Sequence, residues 1–263
     1  MADKAKKLLP RDILKILITN FLFVSPVLIV DPIIATAFGG SFFWVRASEE
    51  MGQRLVIRSG MMLPFFITLF VLFFLSILFY SRYSGISLGG FGIRSPADLK
   101  GALIIGIVGG AGLMLLGDFL EALIMPIYGY FGLTSTHLEI SAAFGRAVSS
   151  QSVLYILLVT FFVGVLDPIV EEVLFRGVVH TAFQNKDGFK KGLIVSSLVF
   201  ALAHLDLLVL PILFIMGAVL AYVYYKTESL LAPVLMHMTN NTLVFLLYMI
   251  GVERIFPFFY RLG

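Results

Sequence analysis

The sequence predicts an all-α fold: a polytopic transmembrane helical bundle of about seven spans. Three observations carry this. The 263 residues are 59% hydrophobic and 13% charged, whereas a soluble domain is usually about 25% charged. The apolar runs recur at the length that crosses hydrocarbon as helix, roughly 20 residues for about 30 Å. The connecting stretches are mostly short, so residues 1–263 read as a single membrane domain whose first partner is the lipid bilayer. Cysteine is absent, which excludes disulfides, thiolate metal sites and a thiol nucleophile. A net charge of +3 gives no case for nucleic acid as a partner.

The first apolar run begins near Ile13, after Lys4, Lys6, Lys7 and Arg11. Ala35-Thr36-Ala37 imitates a signal-peptidase site, but the run before it is longer than a typical signal core and is interrupted by Asn20, Pro26 and Asp31. An uncleaved, kinked span is expected. Further spans are expected at about 60–80, 101–125, 151–183, 191–205, 207–225 and 230–250, with Asp206 marking a tight reversal. Ser95-Pro96-Ala97-Asp98 resembles an N-cap followed by proline at the first helical position. The glycines of Gly106-Ile107-Val108-Gly109-Gly110 offer a small face for close helix contact. A phosphate loop is the rival reading of those glycines; it fails because no strand precedes them and no Lys-Ser/Thr follows. A cytoplasmic N-terminus gathers thirteen of the nineteen Lys and Arg on the inner side, although Arg46, Arg54 and Arg58 oppose it.

Chemistry is expected where charge interrupts the apolar pattern, because ionisable side chains in a span are costly and mark function by default. In Asp167-Pro168-Ile169-Val170-Glu171-Glu172-Val173-Leu174-Phe175-Arg176-Gly177, Glu172 and Arg176 are four apart and share a helix face. Glu171 is turned about 100° away, which frees it to exchange a proton as a general base. Asp167-Pro168 suggests a helix restart or kink that opens room beside it. His204 closes the fifth span, and His237 lies in the seventh with Asn241 four residues on and Asn240 three. Counting ~1.5 Å per residue from the basic flanks places Glu171, His204, His237 and Asn241 in one layer. Singly, a Glu–Arg pair is as often a clamp, and a lone His or Asn more often glue between helices; their coincidence favours a site. His180 faces away from Glu171, His137 falls in a loop, and Asp118 and Glu121 hold helices or line a cavity.

Glu171-Glu172-x-x-x-Arg176, Phe200-x-x-x-His204 and His237-x-x-x-Asn241, in order and on separate spans, resemble the CAAX-protease and bacteriocin-processing (Rce1-like, or Abi) family of intramembrane proteases. The resemblance covers about residues 150–245, taken as the catalytic core. It implies an Rce1-like bundle and an endopeptidase cleaving membrane-tethered or lipidated peptides, with prenylated CAAX-type substrates among the candidates. Carried over by position, Glu171 and His204 would activate water, His237 and Asn241 would stabilise the oxyanion, and Glu172 and Arg176 would support the helix. A metal-free mechanism is expected, since Asn is a poor zinc ligand and a good oxyanion donor; the alternative is zinc on Glu171, His204 and His237. The expected location is a prokaryotic plasma membrane. The competing class is a non-catalytic protein: a bacteriocin immunity or sensor protein, or a small ion-coupled transporter. Residues 1–150 lack the second copy of the motifs that a transporter's inverted repeat would show.

Overall fold

The computed structural model describes residues 6–38, 62–135 and 153–250, and every regular element among them is helical. The order is α1 (Pro10–Phe38), α2 (Met62–Ser84), a 3-10 turn (Leu88–Phe91), α3 (Leu99–Tyr130), α4 (residues 153–187), α5 (Phe189–Ala203), α6 (Leu210–Thr227) and α7 (Leu231–Met249). Among the described residues, three stretches are long and apolar enough to cross a membrane: Ile67–Ser84, Leu99–Tyr130 and Leu210–Thr227. The expected positions of His137, Arg46, Arg54, Arg58, Arg254 and Arg261 lie outside the described residues.

α1 continues as one α-helix through Asn20, Pro26 and Asp31. Two of its polar residues are met by α2. The Asn20 amide donates to Ser76 Oγ at 3.0 Å, and Tyr80 Oη donates to Asp12 Oδ1 at 3.1 Å. Asp12 Oδ2 also accepts from the Leu9 N–H at 3.0 Å, closing the start of the helix.

α3 begins later than the Ser-Pro signal suggests. Its N-cap is Asp98, whose Oδ1 accepts from the Gly101 N–H at 2.9 Å. A carboxylate satisfies an orphan donor and favours the positive end of the helix dipole, so Ser95 and Pro96 stay in the approach. The glycine face then does what its composition implies. A Cβ on Gly106 would lie 2.5 Å from Leu235 Cβ, and one on Gly110 would lie 2.5 Å from the Met236 carbonyl oxygen. Close approach of two helices is how association gains dispersion energy where lipid removes the hydrophobic drive. α3 and α7 form the most extensive helix pair.

The 3-10 turn is wedged into the other half of the molecule. Gly92 takes φ +75° against the Tyr224 ring, and a Cβ on Gly177 of α4 would meet the Phe91 carbonyl oxygen at 2.6 Å. Between α5 and α6 the chain reverses over residues 204–209 as Asp206 suggests. Asp206 Oδ1 accepts from the Leu208 N–H at 2.8 Å, and Oδ2 accepts from Ser135 Oγ at 2.7 Å.

Replacing Gly110 by valine should lower the stability of the purified protein in detergent by about 1–3 kcal/mol, because backbone opposes the new side chain. Gly112→Ala, with nothing within 4 Å of its Cβ, should be neutral or slightly stabilising in the same thermal unfolding assay.

Candidate active site

The site is built on α4, which changes register four times. It runs α over Val153–Phe161, π over Phe162–Leu166, α over Asp167–Glu172, π over Val173–His180 and α again over Thr181–Asp187. The expected break at Asp167-Pro168 is therefore a π segment inside a continuous helix. Its cause is local. Pro168 has no N–H to give the Gly164 carbonyl four residues back, and the Asp167 N–H bonds to the Phe162 carbonyl, five back, instead of Val163. Two successive carbonyls thereby lose their α-helical donors. Successive side chains of α7 reach both: Asn241 Nδ2 lies 3.4 Å from the Val163 oxygen and Thr242 Oγ1 lies 3.5 Å from the Gly164 oxygen. Gly164 is needed for this approach, since a Cβ there would collide with the Thr242 hydroxyl.

One turn on, Glu172 and Arg176 are both fully buried. Arg176 Nη1 donates to Glu172 Oε1 at 2.7 Å, and Nη2 donates to the Gly217 carbonyl of α6 at 3.0 Å. The guanidinium also stands 4.8 Å from the centroid of the Phe200 ring, a favourable placement for a cation. Glu172 Oε1 accepts a second bond, from His237 Nδ1 of α7 at 3.0 Å. Because a carboxylate only accepts here, the Nδ1 nitrogen carries the hydrogen. The opposite nitrogen, His237 Nε2, lies 3.6 Å from Glu171 Oε2. Glu171 is 22% exposed where Glu172 is 0%, so Glu172 is the buried anchor and Glu171 the accessible carboxylate.

His204 reaches the same neighbourhood through an aromatic ring. It caps α5, with Nδ1 2.9 Å from the Phe200 carbonyl. An acceptor-only carbonyl places the hydrogen on Nδ1 and leaves the Nε2 lone pair of the neutral ring as the basic position. The Phe200 ring lies 5.0 Å from His204 and 5.9 Å from His237, centroid to centroid.

Of the residues the sequence singles out, Glu171, Glu172, Arg176 and His237 are joined by direct polar contacts. The imidazole beside Glu171 is His237, where the resemblance pairs Glu171 with His204. Asn241 is turned toward Val163 rather than shown at Glu171. Among the described residues, no three or more His, Asp or Glu side chains are grouped to hold a metal ion. His180 belongs to a separate buried cluster, with Nε2 2.7 Å from Gln184 Oε1 and its ring edge-on to Tyr224.

Three contacts escape the motif reading, although Phe200 itself stands in the second motif. The Gly217 carbonyl is a backbone acceptor and has no side-chain signature, although a glycine within an apolar helix hints at close approach. The Phe200 ring links Arg176 and both histidines. Asn240 donates through Nδ2 to Asn241 Oδ1 at 3.0 Å; its place beside the motif asparagine was visible, but its bond was not.

Glu172→Ala should destabilise the protein by about 3–5 kcal/mol, the cost of leaving a buried arginine without its carboxylate. Glu171→Ala should leave the unfolding midpoint close to that of the wild type. Thermal unfolding of the two variants side by side in detergent checks the contrast.

With this geometry in hand, the comparisons are specific. Residues 152–243 match the family described as Type II CAAX prenyl endopeptidase Rce1-like. The chain is 34% identical over 101 residues to "Membrane-embedded CAAX protease MroQ" of Staphylococcus aureus (strain USA300), covering 36% of this chain and 41% of that protein. It is 31% identical over 104 residues to "Putative membrane peptidase YdiL" of Bacillus subtilis (strain 168), covering 40% and 41% respectively. The alignments thus span about two-fifths of the length of these relatives. No solved structure matches. Over residues 152–243 the chain is thus similar to the Rce1-like CAAX protease family.

Proposed function

We propose that the protein is an intramembrane endopeptidase that hydrolyses membrane-tethered or lipidated peptides with water activated by Glu171 and His204. The observation that carries this is the division of labour between adjacent glutamates. Arg176 takes up the charge of Glu172, while Glu171 keeps an accessible carboxylate beside an imidazole. Two names among the relatives, a CAAX protease and a membrane peptidase, support the same class of chemistry.

Glu171 accepts a proton from water as the oxygen attacks the scissile carbonyl carbon, with His204 Nε2 as the second acceptor that orients that water. The carbonyl π electrons move onto oxygen, and the oxyanion is met by donors from α7 in a site sheltered from bulk water: Asn241 Nδ2, and His237 Nε2 in the doubly protonated ring whose other N–H stays on Glu172. As the intermediate collapses, the C–N bond breaks and the proton held by Glu171 passes to the leaving nitrogen. Glu172 and Arg176 hold the helix and His237 in register. No step is routed through a metal, because the donor groups are committed to one another: Glu172 holds one nitrogen of His237 and Glu171 faces the other. The bias of Lys and Arg supports a cytoplasmic N-terminus, and the bacterial relatives support a prokaryotic plasma membrane.

The deciding assay is cleavage of matched prenylated and unprenylated peptides by the purified full chain in liposomes. Glu171→Ala and Glu171→Gln should each lower kcat by about 10²–10⁴ while the protein stays folded. Wild-type activity in either variant ends the proposal. Proton-coupled flux in liposomes without any peptide cleavage would favour a transporter instead.

A strong chelator should leave cleavage largely intact. Loss of activity on chelation, restored by added zinc, would instead assign Glu171, His204 and His237 as ligands.

A further inference from the structure

Asn240 is buried, at 6% exposure, yet its one hydrogen bond among the described residues goes to the next residue on its own helix. It therefore ties no two helices together, which is the usual work of an intramembrane asparagine. Its Oδ1 is buried and without a partner among the described residues. A buried acceptor left unsatisfied is destabilising, so an apolar side chain would serve packing better at this position.

The neighbouring groups dictate how both amides are oriented. The Val163 carbonyl can only accept, so the end of the Asn241 carboxamide facing it, at 3.4 Å, is the NH₂ group. Asn241 Oδ1 must then face Asn240, and Asn240 must answer with its own NH₂, at 3.0 Å. Without the Asn240 donor, only one long bond to Val163 keeps the Asn241 amide from turning over. A turned amide would offer an oxygen where catalysis needs a donor.

We propose that Asn240 is a positioning residue: its amide locks the Asn241 carboxamide with the nitrogen toward the Val163 carbonyl, so that the second Nδ2 hydrogen remains available to the developing oxyanion. This rests on the peptidase reading of the site. The register change of α4 is part of the same device, because it exposes the Val163 carbonyl that sets the direction of the chain of amides.

The test is a double-mutant cycle on the full chain in liposomes, using a peptide that the wild type cleaves, with rates expressed per folded molecule. Asn240→Ala removes the donor. Asn240→Leu removes it while filling the space and also removes the orphaned acceptor, so it should fold at least as well as the wild type. Both should lower kcat about 10- to 100-fold with KM within about twofold. In an Asn241→Ala background, neither should lower kcat further, since there is no amide left to orient. Equal losses in both backgrounds, a wild-type kcat in Asn240→Leu, or failure of both variants to fold would each assign Asn240 a purely structural role and overturn the proposal. A wild type that cleaves no peptide overturns the peptidase reading itself, and the positioning role with it.

Discussion

The buried pair of Glu172 and Arg176 is the constraint around which the described bundle is arranged. Taking both ions out of water costs more than their attraction alone returns, unless further hydrogen bonds and a good cation environment are supplied. The structure supplies them from three other helices. α6 gives the Gly217 carbonyl, α5 gives the face of Phe200, and α7 gives His237. Glu172 Oε2 and Arg176 Nε are left without partners among the described residues, so even this set is incomplete. A charge that needs ligands from several helices also fixes how those helices lie. Phe200 and Gly217 illustrate the demand: a Cβ on Gly217 would stand 3.1 Å from Phe200 Cδ1, and glycine there lets α6 come close enough to reach the guanidinium.

This arrangement separates two glutamates that are adjacent in sequence. Helical rotation alone turns them apart; the structure adds a difference in access and in company. Glu172 is enclosed and shared by a guanidinium and an imidazole, whereas Glu171 lies at the far side of that imidazole and retains some exposure. His237 thus stands between the two carboxylates. Its Nδ1 is committed to the anchor, and this fixes the ring so that Nε2 faces the carboxylate proposed to handle the proton. An anchored histidine of this kind is common where ring orientation must be held during chemistry.

Much of this was legible in the chain. The helical class, the reversal at Asp206, the close-packing glycines at 106 and 110 and the Glu172–Arg176 pair all follow from local pattern: apolar length, a polar residue at a turn, or i,i+4 spacing. The start of α3 was misplaced because two capping signals lie within four residues, and geometry favours the carboxylate that reaches the Gly101 N–H. That His237 Nε2 lies beside Glu171 was not legible, since helix depth places groups in a layer but says nothing of which faces turn together. Backbone participants were out of reach for a more basic reason. The carbonyls of Val163, Gly164 and Gly217 become available only through the path of the chain, which no side-chain pattern reports.

The wedge formed by Phe91 and Gly92 separates what is recognisable from what is self-sufficient. The stretch matched to the family begins at residue 152, yet its central helix has a glycine at 177 fitted to the Phe91 carbonyl, and Tyr224 lies against Gly92. The glycine face of α3 is fitted to α7 in the same way. Kinship and cohesion therefore have different borders in this chain. The residues that carry the shared chemistry are a lining, and part of the wall they are set against comes from sequence upstream of residue 152. Drift in that upstream sequence is limited by backbone fit at a few glycines, a restraint that records shape rather than catalysis.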